Sequence, residues 1–408
     1  MKQVISMKKV IVIGGGASGL MAAITAKNQQ ADVLILERNN KLGKKILATG
    51  NGRCNFTNVD ATEIHYNHPY FVKPVFEQMN PKKTVSFFET LGIVPKVEDE
   101  GKTYPLSEQA SSIVDVLVYE VQQLNIPVIY EAKVIKIEKH DQYVITLENE
   151  TSYQADSVII ATGGMAMPKS GSDGIGYTLA QSLGHKVTAI FPALVKLELE
   201  SPYLKAMDGV KFPGTVELMH QGVSLQKEFG DVLFTKYGIS GPTILQLSRR
   251  ANALLQDQQP VSVKVILVQT LDQRDVAKRF QMLKDKSIEF SLIGLIHKRI
   301  IHPLLKEAGI EPHQAVRDVP KDKMNQLIRL LFDWEFNIIG SKDFDDAQVT
   351  AGGIDIKDIN PQSLESKLMK GLFFCGEVLD IDGLCGGYNL QWAWSSGYVA
   401  GKYASKLI

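Results

Sequence analysis

The feature that most constrains this chain is a run of ten residues near its start, Val10-Ile11-Val12-Ile13-Gly14-Gly15-Gly16-Ala17-Ser18-Gly19. A short β-branched stretch feeds a glycine turn. Leu20 to Lys27 then reads as a helix, and Asp32-Val33-Leu34-Ile35-Leu36-Glu37 as a second strand ending on a carboxylate. Glycines alone also serve ordinary turns. Strand, G-x-G-x-x-G, helix, strand and acid within the length of one βαβ unit is the more specific pattern of a dinucleotide site. Gly14 permits the tight turn, Gly16 lets backbone approach a pyrophosphate, and Gly19 lets the helix pack on the strand. Ala17 and Ser18 open the helix, whose free N–H groups and dipole favour anions. Glu37 is placed to accept hydrogen bonds from a ribose.

A chain of 408 residues exceeds one core and divides into two or three domains. Its 45 basic and 45 acidic side chains cancel, so the total does not point to a nucleic-acid or anionic-membrane surface, although it can conceal a local patch. Cys54, Cys375 and Cys385 form no disulfide framework, and a reducing cytoplasm is the simplest home. The first apolar run belongs to the first strand and not to a signal peptide, with Met7 as an alternative start to Met1. No stretch reaches the roughly 18 apolar residues of a membrane span.

Between Arg38 and Asn58, glycines, asparagines and threonines mark a loop. Taken alone it is a solvated basic turn. Behind the acid of a dinucleotide fold it is a loop passing the cofactor. Arg38 would then stack on adenine, Lys44 and Lys45 approach phosphates, and Asn51, Gly52, Arg53 and Cys54 reach a ring system. Helical spacing follows over Phe71 to Met79, Thr84 to Leu91 and Ser111 to Leu124, with Ser111 or Ser112 as N-cap. Gly101 to Ser107, which includes Tyr104, is extended. Strands are expected over Ile126 to Tyr130, Ala132 to Lys139, Tyr143 to Leu147 and Ser152 to Tyr153. Three of these make a meander in which Val134 offers its backbone to adenine. Asp156 to Gly164 is a further buried strand. Its end at Gly163-Gly164 is either backbone kept bare for a ligand or an ordinary turn, with Ala161, Thr162 and Gly163 as cofactor-binding candidates. A helix over Tyr177 to Leu183 follows.

From Phe191 the character changes. Val195 to Leu199, Gly214 to Met219, Val223 to Lys227 and Val261 to Val268 alternate as antiparallel strands do. Phe234 to Pro242 reads as a loop carrying Lys236 into a helix through Ser248. Asp272 to Trp334 reads as amphipathic helix broken near Pro303 and Pro312. Residues 191–340 are therefore expected to form an inserted domain, β over 191–270 and helical over 271–340, between two parts of one cofactor domain, 1–190 and 341–408. In the second part Leu372-Phe373-Phe374-Cys375-Gly376-Glu377 is a strand ending in a small residue and an acid. Gly387-Tyr388-Asn389 then leads into a helix over Trp392 to Leu407. This second anion-binding device suits the long, two-ended FAD better than NAD. Gly376, Glu377, Gly387, Tyr388 and Asn389 would hold its ribityl and pyrimidine end. His65-Tyr66-Asn67-His68 lacks cysteine or carboxylate partners, so no metal site is expected.

The blocks IVIGGGASGLMAA, GKKILATGNGRCNFTN, VIIATGG, LFTKYGISGPTILQLSR, VTAGGI and GLFFCGEVLDIDGLCGGYNLQWAWSSGYVAG run in order over nearly the whole chain. They resemble the bacterial flavoprotein family known as NAD(FAD)-utilising dehydrogenases, related to aminoacetone oxidases and to BaiN-type bile-acid Δ4-reductases. The resemblance implies an α/β fold: a two-part, Rossmann-like FAD-binding domain of the glutathione-reductase type, with an inserted β-barrel-like and helical domain over the flavin. Where this chain has Lys236, the family usually has histidine. The function implied is that of an FAD-dependent oxidoreductase acting on a small organic substrate. NAD(P)H would serve as a transient donor, since no second G-x-G-x-x-G exists. The alternatives are an O2-using amine oxidase of the aminoacetone-oxidase kind, a flavin-dependent RNA-modifying enzyme, which the zero net charge disfavours, and a non-catalytic flavin sensor. No nucleic-acid or membrane partner is expected. Arg53, Tyr104 and Lys236 are the catalytic candidates, each a polar donor in a loop able to line a cavity.

Overall fold

The computed structural model describes residues 7–406; Met1 to Ser6 and the expected helix end at Leu407 lie outside them. The chain forms two compact units, one built from residues up to Phe191 together with those from Gln348 on, the other from Pro192–Ala347.

The first unit is built on a parallel sheet of strands β1 (Lys9–Ile13), β2 (Asp32–Leu36), β3 (Val128–Ile129), β4 (Ser157–Ile160) and β5 (Leu372–Phe374). Their order is β5-β4-β1-β2-β3. Val12 lies between Ile35 and Ile159, and Ile159 is paired in turn with Phe373. The central strands are buried on both faces, so they read as continuous apolar runs and not as alternation. Helix α1 (Ala17–Asn28) follows β1, and helix α2 (Tyr388–Ala404) follows β5. These helices touch backbone to backbone. A Cβ on Gly397 would stand 2.3 Å from the Ser18 carbonyl oxygen, and one on Gly401 2.3 Å from that of Ala22. Val134–Lys139, Tyr143–Leu147 and Ser152–Ala155 form the expected antiparallel meander. The helix over Ala110–Gln123 is capped by Gln109 with no side-chain hydrogen bond, so Ser111 and Ser112 fall inside its first turn instead of capping it.

In the second unit, Leu197–Leu199, Gly238–Ser240, Val223–Thr235, Lys211–His220, Ser262–Ile266 and Trp334–Ser341 close into an antiparallel barrel, in that order. Its apolar interior continues into helices over Gln273–Met282, Lys298–Glu307 and Lys321–Phe332. Two local expectations change here. Phe234 to Pro242 is not a loop. The strand runs on to Thr235, turns over Lys236 and Tyr237, and pairs back from Gly238, which faces Thr235. The helical reading through Trp334 gives way to a strand of alternating burial that begins at that residue, so a division at 340 falls inside a strand. Pro303 sits within a helix without ending it.

Candidate functional site

One cavity of about 1200 Å³, counted out into the solvent at its open mouth, lies wholly in the first unit. Its floor is the glycine turn between β1 and α1. Gly14 has φ +106°, and a Cβ there would lie 2.5 Å from the Ala161 carbonyl oxygen. A Cβ on Gly19 would lie 1.9 Å from the Gly14 carbonyl oxygen, so this glycine serves helix-to-strand packing and does not line the cavity. Gly16 lines it, and a Cβ there would meet no atom within 4 Å. That open space lies at the N-terminus of α1, beside Ala17 and Ser18, which also line it.

Glu37, almost fully buried, braces this turn. Its Oε2 accepts from the Gly15 amide at 2.7 Å, and its Oε1 from the backbone and side-chain amides of Asn39, both at 2.7 Å. A carboxylate has about four acceptor positions, so it keeps capacity for a ligand hydroxyl. Arg38 lines the same end and pairs with Asp173. Lys44 reaches the Asn39 side-chain oxygen at 3.5 Å. Val134, Ala161, Thr162 and Gly163 complete that wall.

The opposite wall comes from the end of the chain's fold. The Gly376 amide donates to Ser396 Oγ at 2.9 Å, and Trp392 Nε1 donates to the Gly376 carbonyl at 3.1 Å. A Cβ on Gly376 would lie 2.4 Å from Ser18 Oγ, so this residue packs between the helices while its neighbour Glu377 lines the cavity. Glu377 Oε2 is 2.6 Å from Lys45 Nζ. Asn389, in the first turn of α2, lines the cavity with its amide held by the carbonyls of Gly383 and Leu384. Two helix N-termini therefore border one cleft, a doubled setting for anions.

Other expected site residues lie off this cavity. Gly387 has φ +97° and is pressed against the Thr57 carbonyl; Tyr388 accepts at its carbonyl from Tyr66 Oη at 2.7 Å. Asn51, Gly52, Arg53 and Cys54 form a turn beside it, with Asn51 and Cys54 at positive φ. Burial pushes the Cys54 thiol up to about 12, well away from thiolate chemistry. The Arg53 guanidinium sits 4.0 Å over the Tyr104 ring and 2.6 Å from Glu98 Oε1, with Glu108 at 3.4 Å. Burial also raises the Tyr104 phenol above its ordinary value. Lys236 belongs to the second unit; its amide donates to Asp208 Oδ1 at 3.0 Å and its side chain is exposed within that unit. Sequence reasoning passed over Thr49, Lys133, Ser170 to Ser172, Gln348, Val349 and Ile381 as lining residues. The glycines at 171 and 174 and the Val349-Thr350-Ala351-Gly352-Gly353 run were the available signals.

Among the described residues no cluster of His, Cys, Asp or Glu could hold a metal ion, and no helix is long and apolar enough to cross a membrane. The donor set fits FAD on its own geometry. The open space at Gly16, which a Cβ would enter, lies at the N-terminus of α1, a setting that suits a pyrophosphate. Glu37 and Glu377 both line the cavity, carboxylate acceptors of the kind that suit sugar and polyol hydroxyls.

Comparison with known proteins gives the chain its relatives. The 3-dehydro-bile acid delta(4,6)-reductase of Clostridium scindens is 36% identical over 98% of this chain and 100% of its own. The ribosomal RNA dihydrouridine synthase of Haemophilus influenzae is 31% identical over 97% of this chain and 98% of its own. The solved 3-ketosteroid delta1-dehydrogenase of Sterolibacterium denitrificans superposes with a TM-score of 0.50 at 11% identity, covering 98% of this chain and 99% of that one, a likeness of fold. The HI0933-like protein Rossmann domain matches residues 8–403, and the chain belongs to that family of FAD-dependent oxidoreductases.

Proposed function

We propose that this oxidoreductase is a reductase that saturates a carbon–carbon double bond conjugated to a carbonyl. The observation that carries this reading is that two relatives matching almost end to end bear names describing that one change on different molecules. A 3-keto steroid with a Δ4 bond is an enone. The uracil ring also places its C5–C6 double bond next to a carbonyl, and dihydrouridine is the product of saturating it. FAD, when bound, supplies the redox chemistry, carrying two electrons between a donor such as NAD(P)H and the substrate carbon.

The chain's own residues have the remaining tasks. Gly14, Gly16, Ala17 and Ser18 would hold the pyrophosphate, Glu37 and Arg38 the adenosine, and Glu377 with Asn389 the polyol. Reduction of an enone also needs a proton at the α-carbon. Tyr104 suits that step: its phenol, which burial raises further above its ordinary value, is a protonated donor at neutral pH, and Arg53 stacks on its ring. Lys236 is exposed at the turn it shares with Tyr237 in the second unit. Tyr237 is fixed there beneath Lys342, 4.2 Å from the ring centroid.

A small enone is the first reading of the substrate. A uridine in ribosomal RNA is the second, favoured by the Haemophilus relative; zero net charge over the chain does not decide between them, because RNA contact needs only a local patch. The test is anaerobic. Purified protein loaded with FAD is reduced with NADH, NADPH or dithionite, then mixed with a 3-keto-Δ4 bile acid or with ribosomal RNA lacking dihydrouridine. Flavin reoxidation with a product two hydrogens heavier identifies the substrate class. Reoxidation by O2 alone, with neither product formed, would refute the reductase reading.

A further inference from the structure

We propose that Lys45 is a positioning residue committed to Glu377 and not to phosphate, and that it sets the charge beside the ring end of the bound cofactor. This rests on the reading above, that the cavity holds FAD with its polyol and ring end at Glu377.

Lys45 and Glu377 stand 332 residues apart in sequence and 2.6 Å apart in the cavity wall. Glu377 has little freedom to point elsewhere. Its Oε1 accepts from the Thr350 amide at 2.8 Å. Thr350 is itself buried, with Oγ1 accepting from the amides of Met165 at 2.8 Å and Ala166 at 2.9 Å. The carboxylate is thus locked to the backbone on one side and to the ammonium on the other. About four-fifths of each side chain is removed from solvent, so the pair acts with less screening than a surface pair.

The neighbouring lysine behaves differently. Lys44 stays at the Glu37 end, against Asn39. Adjacent lysines therefore divide the work, with Lys44 and the helix N-termini left for the diphosphate. Two-electron reduction adds negative charge to an isoalloxazine ring, and an unpaired carboxylate beside it would oppose that change. Lys45 cancels the carboxylate while leaving its oxygens in place to orient hydroxyls.

The experiment measures FAD content first and then the midpoint potential of the bound cofactor by dye equilibration, in wild type, Lys45→Met, Lys45→Arg and Lys45→Met/Glu377→Gln. A wild-type protein that takes up no FAD would defeat the cofactor reading itself, before Lys45 is at issue. With FAD bound, Lys45→Met is expected to favour the oxidised over the reduced cofactor at least tenfold, about 30 mV lower for a two-electron couple. Lys45→Arg should stay near wild type, and removing both charges should bring the potential back. Loss of FAD in Lys45→Met with retention in the double variant supports the same idea, since the unpaired carboxylate is then what repels the cofactor. A Lys45→Met potential equal to wild type overturns the proposal. So does a double variant that remains at the single variant's potential, or loss of FAD from both, which would make Lys45 a phosphate ligand.

Discussion

A Cβ at Gly16 would meet no protein atom within 4 Å, whereas one at Gly19 would overlap a carbonyl oxygen. The two glycines of one motif should therefore fail in different ways. Gly16→Val is expected to fold with an unchanged melting temperature when both proteins are free of FAD, and to bind FAD at least about a hundredfold more weakly, ~2.7 kcal/mol, read as flavin retained after gel filtration. Gly19→Val must move α1 off β1, at about 1–3 kcal/mol or more, and should lower the melting temperature before any question of FAD arises. Tyr104→Phe should keep its flavin and lose at least about tenfold in turnover of an enone, ~1.4 kcal/mol in barrier. Because the phenol lies above its ordinary value near 10, wild-type turnover that depends on its proton should persist through neutral pH and fall only on the alkaline side. The variant should lack that alkaline limb. The turn at Gly14 and the close packing at Gly19 were legible because each follows from local backbone geometry within six residues. The bond between Lys45 and Glu377 was not, because no local rule relates side chains 332 positions apart. Arg53 was singled out as a polar donor, but its capture by Glu98 depends on the return of a strand 45 residues later.

Among the elements, α1 and α2 matter most, since their backbone contact brings both N-termini to the cavity. Gly397 is the point of closest approach to Ser18. Gly397→Val should push the helices apart, lower the melting temperature by several degrees and weaken FAD binding together, a pairing that separates it from Gly16→Val. Gly397→Ala should do the same to a lesser degree. The parallel strands were readable as unbroken apolar runs because they are covered on both faces. The last barrel strand was missed although Trp334, Phe336 and Ile338 alternate with polar or exposed positions. Only Asp333 separates it from the preceding helix, with no glycine or proline to mark the change. The Lys236 turn was misread for the opposite reason. Its glycines at 238 and 241 suggested a loop, but Gly238 lies in a strand so close to its neighbour that a Cβ would stand 2.1 Å from the Leu197 carbonyl.

At the scale of the whole chain, each unit has its own apolar core, and every residue lining the cofactor cavity belongs to the first. FAD at a hundred times its dissociation constant should add about 2.7 kcal/mol to opening of that unit alone. Hydrogen exchange should then slow in β1, α1, β4 and α2 and stay unchanged in the barrel strands. Equal protection of both units would show that they open together. The cavity also has a history written into the order of its walls. Gly14 to Ser18 are made early, Glu377 and Asn389 more than 350 residues later, with the whole barrel unit translated between them. During synthesis the inserted unit has all of its strands before the nucleotide cleft has its second wall. A nascent chain is therefore expected to complete its insert before it can retain flavin, and a premature stop after the barrel should leave a pale protein with an intact insert, read as flavin absorbance beside the melting of the insert.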